Sequence, residues 1–155
     1  MLTDLQVTMR LVSSVMLSGL IGFERQISRR TAGLRTHILV SLGSCLIMLT
    51  SLHIFDIYKN IAPLDPARIA AGVITGVGFL GAGAIMVQGQ GVKGLTTAAS
   101  LWTVAGIGLA VGCGFFSAAI VTTILTLTVL FFLRYIEGMM IGKEDKLKGG
   151  EGNGV

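Results

Sequence analysis

Apolar residues dominate the chain from residue 36 onward in long, almost unbroken runs, and most charged residues lie between or after those runs. Four runs are clear, at 36–55, 69–87, 94–114 and 115–133. Each is close to the roughly 20 residues with which an α-helix crosses about 30 Å of hydrocarbon. The pattern therefore predicts a membrane protein with at least four spanning helices.

A fifth span at the N-terminus is less clear, because residues 11–23 alone are too short to cross the membrane. A helix that starts at Leu5 reaches about 19 residues, but it places Arg10 roughly two turns inside. The long Arg10 side chain can reach the interface from that depth. We predict an all-α bundle of five transmembrane helices, with four spans plus a shallow N-terminal helix as the alternative.

The Lys and Arg residues predict the orientation of the bundle. With the N-terminus outside, the outer segments carry only Arg10, Lys59 and Arg68, and every other Lys and Arg is inside. This positive-inside bias predicts an external N-terminus and a cytoplasmic C-terminus. One transmembrane domain then covers residues 1–136. Residues 137–155, rich in Lys, Glu, Asp and Gly, are expected to form a charged, disordered cytoplasmic tail.

Glycine is frequent, at 22 of 155 residues, and five glycines crowd into the third helix. These are Gly72, Gly76, Gly78, Gly81 and Gly83. Because membrane helices associate through small residues, these positions predict close helix packing. A broken, site-forming helix over residues 76–83 is the alternative. The fourth helix carries a second row of small residues, at Gly94, Ala98, Gly106, Ala110 and Gly114.

The segment with the most candidate chemistry lies at the inner membrane surface, where the first helix ends and the second begins. Glu24 ends the first helix, and Arg35 and His37 begin the second. A carboxylate at the edge of the bilayer requires a partner, so we predict an ion pair of Glu24 with Arg35 or Arg25. This pair serves either as a stitch between helices or as a polar site for a partner, a lipid or a cation.

Arg29 and Arg30 follow this pair and are expected in water or at the headgroups of anionic lipids. The sequence contains no H-E-x-x-H, C-x-x-C or P-loop signature, so it predicts no catalytic residue, no cofactor and no metal site. The basic residues lie at membrane boundaries rather than on a polar element with aromatics, which argues against nucleic-acid binding.

Four ordered stretches resemble the signature sequences of the MgtC/SapB family of bacterial inner membrane proteins. They are GFER at 22–25, GLRTH at 33–37, GFLGAGAI at 78–85 and GLTTAASLW at 94–102. The chain resembles a short form of this family, without the C-terminal ACT-like domain that many members carry. The resemblance implies a multi-pass inner membrane protein associated with low-magnesium growth, survival in the host and virulence.

The resemblance also implies a site and a mode of action. The polar motif residues, carried over by position, are Glu24, Arg25, Arg35, Thr36, His37, Thr96, Thr97 and Trp102. We therefore expect a non-enzymatic regulator of membrane energetics or ion homeostasis, which binds a membrane protein such as the F-type ATP synthase and can form homo-oligomers. The alternative is a small oligomeric transporter or channel for Mg²⁺ or another cation.

Overall fold

The computed structural model describes residues 2–61, 63–88 and 91–150. Five helices follow one another in the chain: α1 (Asp4–Ile27), α2 (Leu34–Tyr58), α3 (Ala67–Ala84), α4 (Leu95–Cys113) and α5 (Phe116–Gly150). Each contains a stretch long and apolar enough to cross a membrane. The predicted bundle of five transmembrane helices is confirmed, because α1 is a full 24-residue helix rather than a shallow one.

α4 lies at the centre of the bundle and contacts each of the other four helices. Half of its spanning stretch is buried, whereas the other spans are between 17% and 28% buried. Val104, Ile107 and Val111 of α4 belong to its buried face. The outer helices each leave a broad apolar face uncovered, as expected for a bundle surrounded by lipid.

Two glycines of α4 allow α2 to approach closely. A Cβ added to Gly108 would overlap the carbonyl oxygen of Ser41, and one added to Gly112 would lie 2.8 Å from the carbonyl oxygen of Cys45. This pair of small residues, four apart, brings two helix backbones together. The row of small residues predicted on this helix contains Gly106, two positions before Gly108. A Cβ on Gly106 would meet no described atom within 4 Å.

Arg10 binds the C-terminal end of α4. Its Nη1 donates a hydrogen bond to the carbonyl oxygen of Gly112 at 2.7 Å. The last carbonyls of a helix lack partners within the helix, and a cation there also interacts favourably with the helix dipole. Arg10 is therefore held by the bundle at the end of α4, and its reach to the membrane interface stays a prediction. The turn between α4 and α5 is tight, with Gly114 at φ 90°.

α3 is one unbroken helix through residues 76–83, so the alternative of a broken helix is not observed. It ends at Ala84, and a short antiparallel hairpin follows, with β1 (Met86–Gln88) paired to β2 (Gly91–Lys93). The sequence extended the helical run to Val87, because a short apolar stretch does not distinguish helix from strand. Gly94, at φ 93°, ends the hairpin, and a Cβ there would overlap the carbonyl oxygen of Ala84.

α5 continues well beyond its apolar stretch, as helix to Gly150. The composition of residues 137–155 predicts a disordered cytoplasmic tail, which stays a prediction; residues 137–150 continue α5 as helix, and 151–155 lie outside the described residues. Lys, Glu and Leu are good helix formers. Adding residues to an existing helix avoids the cost of nucleation, and α5 can therefore propagate into the charged segment.

Candidate functional site

Polar residues of three helices converge at one end of the bundle, which we call the basic end. It comprises the last turn of α1, the first turns of α2 and α4, and the β-hairpin. The distribution of Lys and Arg predicts that this side faces the cytoplasm. Six connected side chains, five of them buried and Ser28 half-buried, form what we call the polar cluster: Glu24, Arg25, Ser28, His37, Thr97 and Ser100.

Glu24 and Arg25 form the charged part of the polar cluster, and each is at most 4% exposed. The Ser28 hydroxyl donates to Glu24 Oε1 at 2.6 Å. Arg25 Nη1 lies 3.7 Å from Glu24 Oε2, while Arg35 is exposed to the surroundings. Of the two ion pairs that the sequence allowed, the structure therefore forms Glu24–Arg25. The pair brings two opposite charges into the bundle together, which limits the cost of burying either one.

The Arg25 guanidinium links α1 to the central helix. Its Nη2 donates to Thr97 Oγ1 at 3.1 Å, and this bond is buried. A hydrogen bond to a charged group contributes about 1.5–3 kcal/mol to stability, more than a bond between neutral groups. Arg25 therefore couples the end of α1 to the start of α4.

His37 makes the second connection to α4 and is fully buried. Its Nδ1 lies 2.8 Å from the Gly33 carbonyl oxygen and its Nε2 lies 2.9 Å from Ser100 Oγ. A carbonyl oxygen can only accept, so Nδ1 carries a proton. In the neutral ring Nε2 accepts from the Ser100 hydroxyl, and in the protonated ring Nε2 donates and the hydroxyl turns to the Thr97 carbonyl, 2.8 Å away.

The Ser100–His37 contact has the hydrogen-bond distance of a nucleophile and its base. Both side chains are nevertheless buried, at 4% and 0% exposure. The pair therefore joins α2 to α4 in the interior of the bundle.

Two buried atoms of the polar cluster have no hydrogen-bond partner among the described residues, Glu24 Oε2 and Arg25 Nε. One is an acceptor and the other a donor, and they belong to the two members of the ion pair. Buried polar atoms in native proteins almost always have a partner, and water commonly supplies it. The polar cluster therefore has spare hydrogen-bonding capacity at its charged part.

Glycines let α1 and α2 meet closely at this site. A Cβ on Gly22 would lie 2.9 Å from both the Cβ of His37 and the Cα of Leu34. A Cβ on Gly33 would lie 2.7 Å from Gln26 Oε1, the atom that accepts a hydrogen bond from the Leu34 N–H. The signature stretches 22–25 and 33–37 are thus in contact, which places His37 beside the ion pair.

The structure brings together four of the eight predicted site residues. Glu24, Arg25, His37 and Thr97 belong to the polar cluster, whereas the other four lie on exposed surface: Arg35, Thr36, Thr96 and Trp102. The Trp102 side chain is 53% exposed and faces away from the bundle. Thr96 and Trp102 flank the buried face of α4, and the sequence could not assign that face because α4 is apolar all round.

Ser28 and Ser100 were not predicted as site residues. Each follows a predicted residue by one helical turn, since Ser28 lies four after Glu24 and Ser100 three after Thr97. Residues at these spacings share one face of a helix. This periodicity was the available signal for both.

Most of the predicted packing glycines of α3 have no neighbour within one chain. Gly81 packs against Ala98 of α4, with its added Cβ at 3.6 Å from the Ala98 Cβ. A Cβ on any of the other four would meet no described atom within 4 Å: Gly72, Gly76, Gly78 and Gly83. These four face outward because α3 packs through the buried positions Val73 and Val77.

The sequence model of the MgtC family matches residues 11–139, which include all the residues of the polar cluster. The chain belongs to the MgtC family. It is 42% identical over 141 residues to YhiD of Escherichia coli K12, whose name describes a candidate magnesium transporter; the match covers 90% of this chain and 66% of YhiD. It is also 44% identical over 126 residues to protein MgtC of Salmonella typhimurium LT2, covering 81% of this chain and 52% of that protein.

Protein MgtC of Brucella abortus is 42% identical over 126 residues, which cover 80% of this chain and 50% of that protein. The chain thus spans between half and two thirds of the length of these curated MgtC-family relatives. No solved structure matches it significantly. Family membership and the five apolar helices together identify a multi-pass membrane protein.

Proposed function

We propose that this MgtC-family protein is a non-enzymatic regulator of membrane energetics or ion homeostasis, and that it acts by binding another membrane protein. An open groove of about 720 Å³ between α2 and α3 carries the proposal. Gly43, Gly72 and Gly76 line it, and a Cβ on any of them would meet no described atom within 4 Å. A helix of another protein can approach the backbone closely along such a surface.

The chemistry of the groove fits an apolar transmembrane helix. Its described lining consists of apolar side chains, glycines and Ser44. The Ser44 hydroxyl donates a hydrogen bond to the Val40 carbonyl of its own helix, so its donor is already satisfied without a polar group from a partner. Without a hydrophobic driving force in lipid, dispersion contacts at close backbone distance drive such an association.

The charges of the polar cluster support regulation over transport. Arg25 Nη1 lies 3.7 Å from Glu24 Oε2, and Arg25 also donates a hydrogen bond to Thr97, so the two charges are engaged with the protein itself. A transported cation would have to displace Arg25 from Glu24 inside a buried site, which leaves one charge uncompensated.

The family and the names of its relatives support a physiological setting. Proteins called MgtC and YhiD, the second described by name as a candidate magnesium transporter, are 42–44% identical to this chain. We therefore assign the regulator to magnesium homeostasis, and we name the F-type ATP synthase as the partner to test first.

A matched pair of variants tests the groove. Gly76→Leu and Gly78→Leu both place a leucine in open space on α3, but only Gly76 lines the groove. Both gain about 1 kcal/mol of helix propensity, so neither should unfold the protein. We expect Gly76→Leu to abolish co-purification of the membrane partner and Gly78→Leu to preserve it. Equal partner binding by the two variants would refute the groove as the docking surface.

The second candidate function is cation transport, and the unbonded Glu24 Oε2 is the observation that favours it. Purified protein in liposomes under a Mg²⁺ gradient distinguishes the two functions. The regulator predicts no flux above protein-free liposomes. Flux that is lost in Glu24→Gln would establish transport and overturn the regulator.

A further inference from the structure

We propose that the loop between α1 and α2 is a binding site for the phosphate of an anionic phospholipid in the inner leaflet. Arg29, Arg30 and Arg35 supply the charge, and all three are exposed. Arginine is well suited to phosphate, because its planar guanidinium donates two parallel hydrogen bonds to phosphate oxygens. The loop thus carries three such groups within seven residues.

The loop is held in one conformation by both helices that it joins. The Arg30 N–H donates to the Arg25 carbonyl and the Arg29 N–H donates to the Gln26 carbonyl, each at 3.0 Å. These two bonds form the Schellman arrangement that ends a helix. At the other end of the loop the Leu34 N–H donates to Gln26 Oε1 at 3.1 Å. Because the backbone is already ordered, binding a phosphate does not require ordering the loop.

A buried alanine fixes the loop against the bundle. Ala32 is 6% exposed and packs in one cluster with Ala84 and Leu101, at the end of α3 and in α4. Ala84 immediately precedes the β-hairpin, whose last residue Lys93 is exposed. The hairpin therefore adds a fourth cation to the same end of the bundle.

The acidic groups leave this positive surface uncompensated. Among the residues whose side chains are described, Glu24 is the acidic residue at the basic end, and it is buried against Arg25. Asp4, Asp56 and Asp65 lie at the opposite end, at the start of α1 and around the α2–α3 connection. Among the side chains that the structure describes, an anion approaching the loop therefore meets guanidinium groups without a competing exposed carboxylate.

The neighbours of the loop on α1 identify the phosphate as part of a lipid. Phe23 and Ile27, one turn apart at the end of α1, are 58% and 62% exposed. In the membrane these side chains contact acyl chains, and the arginines that follow them lie at headgroup depth. A diacyl phospholipid with a net negative headgroup can contact the apolar side chains with its acyl chains and the arginines with its phosphate, whereas a soluble phosphate can contact only the arginines.

Native mass spectrometry of the full chain in detergent tests the site, with phosphatidylglycerol and phosphatidylcholine as probes. The wild type should bind phosphatidylglycerol more tightly than phosphatidylcholine. The double variant Arg29→Gln/Arg30→Gln should lose about 25-fold in phosphatidylglycerol affinity, from about fivefold for each arginine. The matched control Lys59→Gln/Arg68→Gln removes two positive charges at the opposite end and should leave the affinity within about twofold of the wild type.

A second variant separates lipid binding from folding. Arg29 has φ 51°, a left-handed conformation that glycine adopts more easily, so Arg29→Gly removes the charge while relieving backbone strain. We expect it to raise thermal stability and to lower phosphatidylglycerol affinity about fivefold. Unchanged affinity in this variant and in the double variant would overturn the proposal. Equal losses in the control pair would also overturn it, as would inorganic phosphate at equal concentration displacing all bound phosphatidylglycerol.

Discussion

The packing of α4 on α2 predicts opposite effects for two alanine substitutions on one helix. Gly106 and Gly108 are two residues apart, and neither has a left-handed backbone. A Cβ on Gly106 would meet no described atom within 4 Å, whereas a Cβ on Gly108 would overlap the Ser41 carbonyl oxygen and lie 2.9 Å from the Ser44 Cβ. The two changes are chemically identical, so any difference between them reports the helix face.

The magnitudes follow from two terms. Replacing glycine by alanine inside a helix stabilises it by about 0.5–1 kcal/mol, at either position. Overpacking costs typically about 1–3 kcal/mol, and it applies only at Gly108, where carbonyl and Cβ atoms cannot move without separating α2 from α4. We therefore expect Gly106→Ala to gain up to about 1 kcal/mol and Gly108→Ala to show a net loss of up to about 2.5 kcal/mol.

The assay is the free energy of unfolding in mixed micelles at increasing SDS. Trp102, the single tryptophan of the chain, lies on α4 and reports the transition by its fluorescence. Gly106→Ala is the control for helix propensity and for expression. If Gly108→Ala stabilised the protein as much as Gly106→Ala does, α4 would not present Gly108 to α2, and the assignment of its buried face would be refuted.

Three further predictions concern single contacts, each measured as a free energy of unfolding in the same micelles. Thr97→Val removes the acceptor of the hydrogen bond from Arg25 at equal size and should destabilise the protein by about 1.5–3 kcal/mol. The control Thr96→Val, on the exposed side of α4, should cost less than about 0.5 kcal/mol. Equal costs for the two variants would refute the buried hydrogen bond. Arg10→Gln removes a charged donor from the Gly112 carbonyl and should cost about 1.5–3 kcal/mol; no loss would show that this contact is not formed in the membrane. Arg29→Gly should stabilise by about 1 kcal/mol, and destabilisation would contradict the left-handed conformation.

Much of the fold could be predicted because the bilayer limits the choices. Runs of about 20 apolar residues give the spans. The orientation that the balance of Lys and Arg indicates stays a prediction. The hairpin formed by β1 and β2 was not predicted, because each strand has only three residues and continues the apolar composition of α3. Strands of three residues are too short to show the alternation of apolar and polar residues that distinguishes a strand from a helix.

The faces of the helices were harder to predict than their ends. α4 is apolar around its whole circumference, so its sequence shows no stripe that marks the buried side. The small-residue row at 106 and 110 and the actual one at 108 and 112 are equally regular in sequence. Only the positions of the neighbouring helices distinguish the two rows, and those positions depend on contacts between distant parts of the chain.

The sequence predicts which residues belong to the polar cluster more easily than it predicts which of them bond to each other. Consecutive residues on a helix do not face each other, so Glu24 and Arg25 are weak candidates for a close ion pair. Their 3.7 Å separation agrees with this geometry. Glu24 instead accepts its short hydrogen bond from Ser28 one turn on, and Arg25 donates a hydrogen bond to Thr97 on α4. The two charges stay adjacent because α2 and α4 enclose the last turn of α1 on both sides.

The glycines of α3 raise an energetic question that one chain does not answer. Each glycine in a helix interior costs about 1 kcal/mol relative to alanine. On α4 this cost is offset by close packing at Gly108 and Gly112, but on α3 Gly72 and Gly76 face open space. Among the described residues, no contact offsets this cost at Gly72 and Gly76. A second helix seated in the α2–α3 groove would supply such a contact, whereas lipid chains contact alanine as well as glycine, and this asymmetry supports the proposed protein partner over lipid.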